Sequence, residues 1–183
     1  GRIAEVIVSA GKRTVAVPPG AATRDLEEGV LRLNVSKEKF DAAPDFDMAK
    51  WEEHIKSPRV AATYLYFDQR PYFATDNQPS ESGNERFEPM GYIQRSTKII
   101  GLPVNSVTNN VPLGTVTAFL YNWQWRTIVH VIVLSLEQPA FKTVVQSRTL
   151  TFNAERNALI LRGSAENFKN RPRLLTSGND GDF

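Results

Sequence analysis

Residues 31–44, LRLNVSKEKFDAAP, return at residues 159–172 as LILRGSAENFKNRP. Leu31/Leu159, Leu33/Leu161, Ser36/Ser164, Glu38/Glu166, Phe40/Phe168 and Pro44/Pro172 coincide at a single offset of 128. Chance supplies about one identity over such a window, so the chain holds a duplicated unit. The match runs upstream with slips. Ile3, Val6, Ile7 and Val8 align with Ile128, Val131, Ile132 and Val133 at an offset of 125, and Arg13-Thr14-Val15 aligns with Lys142-Thr143-Val144 at 129. Offsets that change between apolar segments place the length differences in connections, where a scaffold tolerates them.

Local patterns fill in the unit. Residues 2–8 and 13–17 are β-branched runs joined by Ser9-Ala10-Gly11-Lys12, which predicts a hairpin. Pro18-Pro19-Gly20 ends that ladder, because proline has no N–H to donate. Val30–Val35 reads as a further strand, and Ser36 caps one or two helical turns that close before Pro44, with Ser164 in the same place in the sibling. Asp47 to Ile55 forms a second helical piece with Met48, Trp51 and Ile55 on one side. In the second copy, Val116, Ala118 and Leu120 alternate against Thr115, Thr117 and Phe119, the period of a strand. Short strands are expected at 126–134, 142–146, 149–152 and 158–161. The expected fold is therefore mainly β: two small β-barrels or rolled sheets with short C-terminal helices and a long connecting segment.

This reading divides the chain into a partial first unit with its helical extension at 1–55, a connection at 56–95, a second unit at 96–175 and a flexible tail at 176–183. Residues 96–122 have no counterpart in the first copy; it would lie ahead of Gly1, so the chain is expected to begin inside its first unit, with any signal peptide or membrane anchor upstream. The longest apolar stretch, Ile128–Leu136, has the length of a strand. The centre of the connection, Thr75–Glu88, is polar and expected to be flexible. Before it come Tyr64, Tyr66, Phe67, Tyr72 and Phe73, a stretch too aromatic to stay solvated, which must pack on the chain or on a partner.

At 183 residues, 41% hydrophobic and with a net charge of +2, the chain can bury one good core or two small ones and projects no strong field toward nucleic acid. The one basic cluster, Lys169, Arg171 and Arg173, reads as a solvated face rather than a phosphate site. With no cysteine there is neither a disulfide nor a thiolate metal site, and compartment stays open, a periplasmic, secreted or membrane-peripheral place being favoured.

Laid side by side, the two copies resemble the PRC-barrel family, named for the cytoplasmic domain of the photosynthetic reaction-centre H subunit. The resemblance rests on Ile99-Ile100-Gly101-Leu102-Pro103-Val104, Leu113-Gly114-Thr115-Val116 and the strand Ile128–Val133 in the second copy. In the first it rests on Val6-Ile7-Val8, Val15-Ala16-Val17-Pro18 and the close from Val35-Ser36-Lys37-Glu38 through Ala43-Pro44. It covers about three quarters of the chain. Gln146-Ser147, standing where the first copy has Val17-Pro18, and Asn109-Asn110, in place of an acidic-Gly turn, depart from the pattern. The resemblance implies an adaptor or assembly module with no catalytic centre and no cofactor. In reaction centres such a barrel caps the membrane subunits and tunes proton delivery toward a quinone; in ribosome maturation factors it binds a ribosomal protein. The expected function is a non-enzymatic protein-interaction module. An accessory or H-like subunit of a reaction-centre complex and an RNA- or ribosome-maturation protein are the alternatives.

The residues by themselves offer catalysis little. His54 ends a helical piece and suits its C-terminal carbonyls, and His130 sits mid-strand. Glu27-Glu28 and Glu52-Glu53 are adjacent pairs whose side chains diverge, and Gly11, Gly20 and Gly29 fall at separate turns rather than in a phosphate loop. Trp123 and Trp125 lie in a turn between two strands, one facing inward and one outward; with Arg126 they are a base-stacking platform at best, and more simply an anchor for a protein partner. Partner contact is therefore expected at Tyr64, Tyr66, Phe67, Tyr72, Phe73, Trp123 and Trp125, the partner being a protein, including one in a membrane complex, with no nucleic acid.

Overall fold

The computed structural model describes residues 1–74 and 90–175; Thr75–Glu88 and the tail at 176–183, both expected to be flexible, lie outside the described residues. Strand (37%) outweighs helix (23%), so the protein is mainly β with short helices. The chain forms two compact units, one of Ile3–Ile93 and one of Gly1–Arg2 with the residues from Gln94 onward.

The first unit begins with β1 (Val6–Ala10) and β2 (Arg13–Val17), an antiparallel hairpin in which Val6 pairs with Val17 and Val8 with Val15. Its turn is Gly11-Lys12, with Gly11 at φ +60°, the left-handed geometry that a two-residue hairpin needs. A 3-10 turn at Pro19–Ala21 leads to β3 (Ala22–Arg24), which pairs with β4 (Leu31–Leu33). Helix α1 (Lys37–Asp41) follows, its N-terminus closed by Ser36 Oγ accepting from Lys39 N. Asp47 caps a 3-10 turn at Met48–Lys50 that runs into α2 (Trp51–His54). The ten residues Ser57–Tyr66, read from sequence as the start of a connection, instead form α3, and they belong to this compact unit.

The second unit opens with α4 (Ser96–Ile99), then β5 (Pro103–Ser106), β6 (Pro112–Asn122), β7 (Thr127–Ser135), β8 (Phe141–Gln146), β9 (Leu150–Asn153), β10 (Ala158–Leu161), α5 (Ala165–Lys169) and β11 (Arg173–Leu175). Its seven strands form one sheet in the order β11-β8-β7-β6-β5-β10-β9. Only β5 and β10 run parallel; the other neighbours are antiparallel. Two register shifts along β6 bend this long strand, as bulges do. Val104, Leu113, Val116, Val131, Val133, Val145, Leu159 and Leu161 fill the core, with Phe168 of α5 laid over them. The ladder ends at β11 and β9, and no pairing among the described residues joins these ends, so the expected closure into barrels is not part of the observed sheet.

The two copies agree element by element. β1-β2-turn-β3-β4-α1 repeats as β7-β8-turn-β9-β10-α5, and the register repeats with it: Ala22 pairs with Leu33 as Leu150 pairs with Leu161. Asn34 N donates to Ala21 O at 2.8 Å, and Arg162 N donates to Thr149 O at 2.8 Å. Ser164 accepts from Asn167 N just as Ser36 accepts from Lys39 N. The repeat even runs past its terminal proline, since Phe46 N bonds Thr14 O in the first unit where β11 pairs with β8 in the second.

One alignment is corrected. Val6 pairs with Val17 and Val131 with Val145, so β2 matches β8 at an offset of 128 rather than 129. Val17-Pro18 therefore corresponds to Val145-Gln146, and the buried residues agree, Val15 and Val17 matching Thr143 and Val145. A single length change remains. The two-residue turn Gly11-Lys12 becomes the five residues 136–140 between β7 and β8, and every later element is in step.

Gly114 shows how closely β6 and β7 approach: a Cβ there would lie 2.3 Å from Leu134 O and 2.6 Å from Val133 Cγ1. In urea denaturation, Gly114→Val is expected to cost about 3 kcal/mol or more, because backbone oxygen cannot give way. Ser36→Ala and Ser164→Ala are expected to cost about 1 kcal/mol each, as equivalent caps should.

Candidate functional site: an aromatic hairpin tip

The aromatic residues singled out from sequence divide sharply. Tyr64, Phe67 and Phe73 are buried, while Tyr66 and Tyr72 are half-buried. Helix α3 places Val60, Ala61 and Tyr64 on one side, where they meet Phe73 with Tyr72, Met90 and Ile93 around them. Tyr64 stacks edge-on against Phe73 at 6.0 Å and Tyr72 at 6.2 Å, and its hydroxyl donates to Ala4 O at 2.8 Å. Tyr66 donates to Lys39 O at 2.9 Å, and Phe67 joins the core of Val15, Val17, Ala21 and Ala43. Tyr64, Phe67 and Phe73 thus pack on the chain itself, the first of the two placements expected of this stretch, and Tyr66 and Tyr72 keep part of their surface exposed. Their helical spacing was the missed signal: Val60, Ala61, Tyr64 and Phe67 recur at i, i+1, i+4 and i+7.

The second group behaves differently. Phe119, Tyr121 and Trp123 stand at alternate positions where β6 runs into its turn, Phe119 packed against the core, Tyr121 at 6.1 Å from it and Trp123 at 6.3 Å from Tyr121. Asn122 Oδ1 accepts from Trp125 N, three residues on, at 2.9 Å, and Arg126 takes φ +53° to bring the chain back into β7. The consequence is that Trp123 is half-buried while Trp125 is 67% exposed, with Leu120 and Tyr121 also exposed nearby along the strand. Burial raises the Tyr121 phenol above its ordinary pKa, and a hydrogen bond with Ser96 opposes the shift.

Several of the polar groups weighed above have structural partners. His54 Nε2 lies 2.9 Å from Glu5 Oε2, and its ring meets the edge of Phe46 at 4.3 Å. It thereby ties α2 to the residue before β1. His130 sits half-buried in β7 opposite Leu120 and Gln146. Glu28 pairs with Arg32, and of the basic cluster Lys169 pairs with Glu137 at 2.6 Å while Arg173 lies over the Phe141 ring and bonds Gln138. Among the described residues no group of three or more His, Cys, Asp or Glu is placed to hold a metal, and no helix is long and apolar enough to cross a membrane. No protein-family model matches the chain, and no curated protein matches it.

Phe73→Ala is expected to lose about 3–5 kcal/mol in chemical denaturation and Tyr64→Phe about 1 kcal/mol, the hydroxyl's bond alone. Trp125→Ala should stay within about 0.5 kcal/mol of the parent. The raised Tyr121 pKa makes the fold prefer the neutral phenol. Its contribution to stability is whole below the ordinary tyrosine range and declines as pH rises beyond it, a decline that Tyr121→Phe should remove in alkaline melts.

Proposed function

We propose that this chain is a non-enzymatic interaction module built from two PRC-type barrel units, and that it joins a protein assembly through the tip of the β6–β7 hairpin. Trp125 carries this reading. The aromatic residues beneath it pack step by step from the core outward, yet this indole is left in solvent on a turn closed by the Asn122 side chain, at the end of a strand that also exposes Leu120 and Tyr121. A ring carried on a turn whose backbone is already bonded loses less entropy on docking, and tryptophan and tyrosine dominate binding energies at interfaces.

The duplicated architecture supports the same assignment. The two copies share strand register and helix caps, and within the aligned elements the one length change lies in the turn between β7 and β8. Such divergence on a common scaffold suits modules that touch different partners. His54 bonds Glu5, Lys169 pairs with Glu137 and Arg173 lies over Phe141, contacts that favour a protein partner over a reaction or a nucleic acid.

A photo-crosslinking residue placed at position 125 of the chain, expressed in its own cells, should give one discrete protein adduct. The same residue at Glu155, exposed in the turn after β9, should give none. Trp125→Ala with Leu120→Ser should cut recovery of that complex by about tenfold or more without moving the melting temperature. Equal labelling from both positions, or a complex indifferent to the double variant, would refute the assignment.

A further inference from the structure

The chain builds one kind of turn three times. Asp25 Oδ1 accepts from Glu28 N at 3.1 Å, Asn153 Oδ1 from Arg156 N at 2.9 Å, and Asn122 Oδ1 from Trp125 N at 2.9 Å. In each, the next residue is left-handed: Gly29 at φ +67°, Asn157 at +47° and Arg126 at +53°. Glycine has no Cβ to clash in that conformation and asparagine tolerates it, whereas arginine adopts it at a cost. The other non-glycine residues described with positive φ are Asp68, Asn110 and Asn157, so the β6–β7 tip alone sets a long cation in such a place among the described residues. The Arg126 side chain is exposed and has no hydrogen bond or ion pair among them.

The surroundings of Arg126 carry one sign of charge. Ser96 bonds the Tyr121 phenol, which sets α4 beside the hairpin with Lys98 and the capping residue Arg95. Ser147 Oγ donates to Ile128 O, which brings Arg148 to the same end of β7. Between Glu88 and Glu137 the sequence has neither Asp nor Glu. The acids described in this unit lie elsewhere. Glu137 is in the turn at the far end of β7, Glu166 is on α5, and Glu155 adjoins Arg156, which bonds Asn110 in the turn at the far end of β6. A net charge of only +2 over the whole chain conceals this separation.

We propose that the partner of the hairpin tip is a protein surface with an apolar pocket for Trp125 rimmed by carboxylates, one of which takes the Arg126 guanidinium. This deepens the function proposed above and rests on it. An arginine fork grips a carboxylate through two parallel bonds, and the unfavourable backbone is kept because the cation is needed at that point. One open indole suits a pocket. Trp123 lies 6.3 Å from Tyr121, and Tyr121 6.1 Å from Phe119, so the tip lacks the row of free ring faces on which bases stack.

Two measurements on the whole chain test this. In urea, Arg126→Asn and Arg126→Gly should unfold at or above the midpoint of the parent, since both residues suit a left-handed turn. In anisotropy titrations the probes are two labelled peptides of equal leucine content, one carrying Glu where the other carries Lys. The Glu peptide should bind, about tenfold or more weakly to Arg126→Asn and in high salt, and not at all to Trp125→Ala; the Lys peptide should not bind. Labelled oligouridylate and phosphatidylglycerol vesicles should bind less tightly than the Glu peptide. Absence of binding, equal binding of the two peptides, tighter binding of oligouridylate or vesicles, or a lowered midpoint in both Arg126 variants would overturn the proposal. Binding that needs Trp125 but ignores Arg126 and salt would overturn it and leave the tip as the docking point. Binding indifferent to Trp125 would remove both readings.

Discussion

A strand inside a sheet must satisfy hydrogen bonds on both edges and bury side chains on its inner face at the same time, and β6 meets that double demand along eleven residues. It is paired with β5 on one side and β7 on the other, and it comes so near β7 at Gly114 that no side chain fits. Everything around it follows. β5 is brought beside β10, the parallel contact in the sheet, and Leu159 and Leu161 are sealed beneath Val104 and Val116. Helix α5 then needs only Phe168 to cover the remaining apolar surface.

The first unit solves the same problem with other material. Its two hairpins share a small core of Val15, Val17, Ala21, Ala43 and Phe67, and a second cluster grows from α3 and the segment after it. The helix arrives through specific contacts rather than through bulk alone: Tyr64 bonds Ala4 O, Tyr66 bonds Lys39 O, and His54 reaches Glu5 from α2. Arg13 adds a local clamp, bonding Asp45 and the carbonyls of Asp41 and Ala43 so that the chain after α1 returns to β2. In the sibling the same two places are held by Phe141 and Arg173, a ring under a guanidinium. One structural task is thus met by an ion pair in one copy and by cation–π contact in the other.

Much of this was legible in the residues. The repeated Ser, Glu, Phe and Pro mark a capped turn of helix because each does a local job that needs no tertiary information. Period-two alternation located β6, and runs of valine and isoleucine located β1 and β7. What escaped was set by long-range packing. Ser57–Tyr66 looked like an aromatic strip of a connection because tyrosine and threonine favour strands, and the helical spacing of Val60, Ala61 and Tyr64, which meet Phe73, went unread. The one-residue error at β2 arose because Arg-Thr-Val and Lys-Thr-Val look alike, whereas the ladder counts partners rather than letters. Of the candidate surface, Trp125 was visible as an indole in a turn, and so was the need of the Tyr64–Phe73 stretch to pack; which of its rings are buried was not.

The turn between β7 and β8 is three residues longer than its sibling, and nothing downstream of it moves out of step. Length at that point is uncoupled from the sheet, since both flanking strands are already locked by their own ladders. The loop at 136–140 is for that reason a natural graft point: foreign peptide sequence spliced there would be displayed from a rigid stem without asking the core to rearrange.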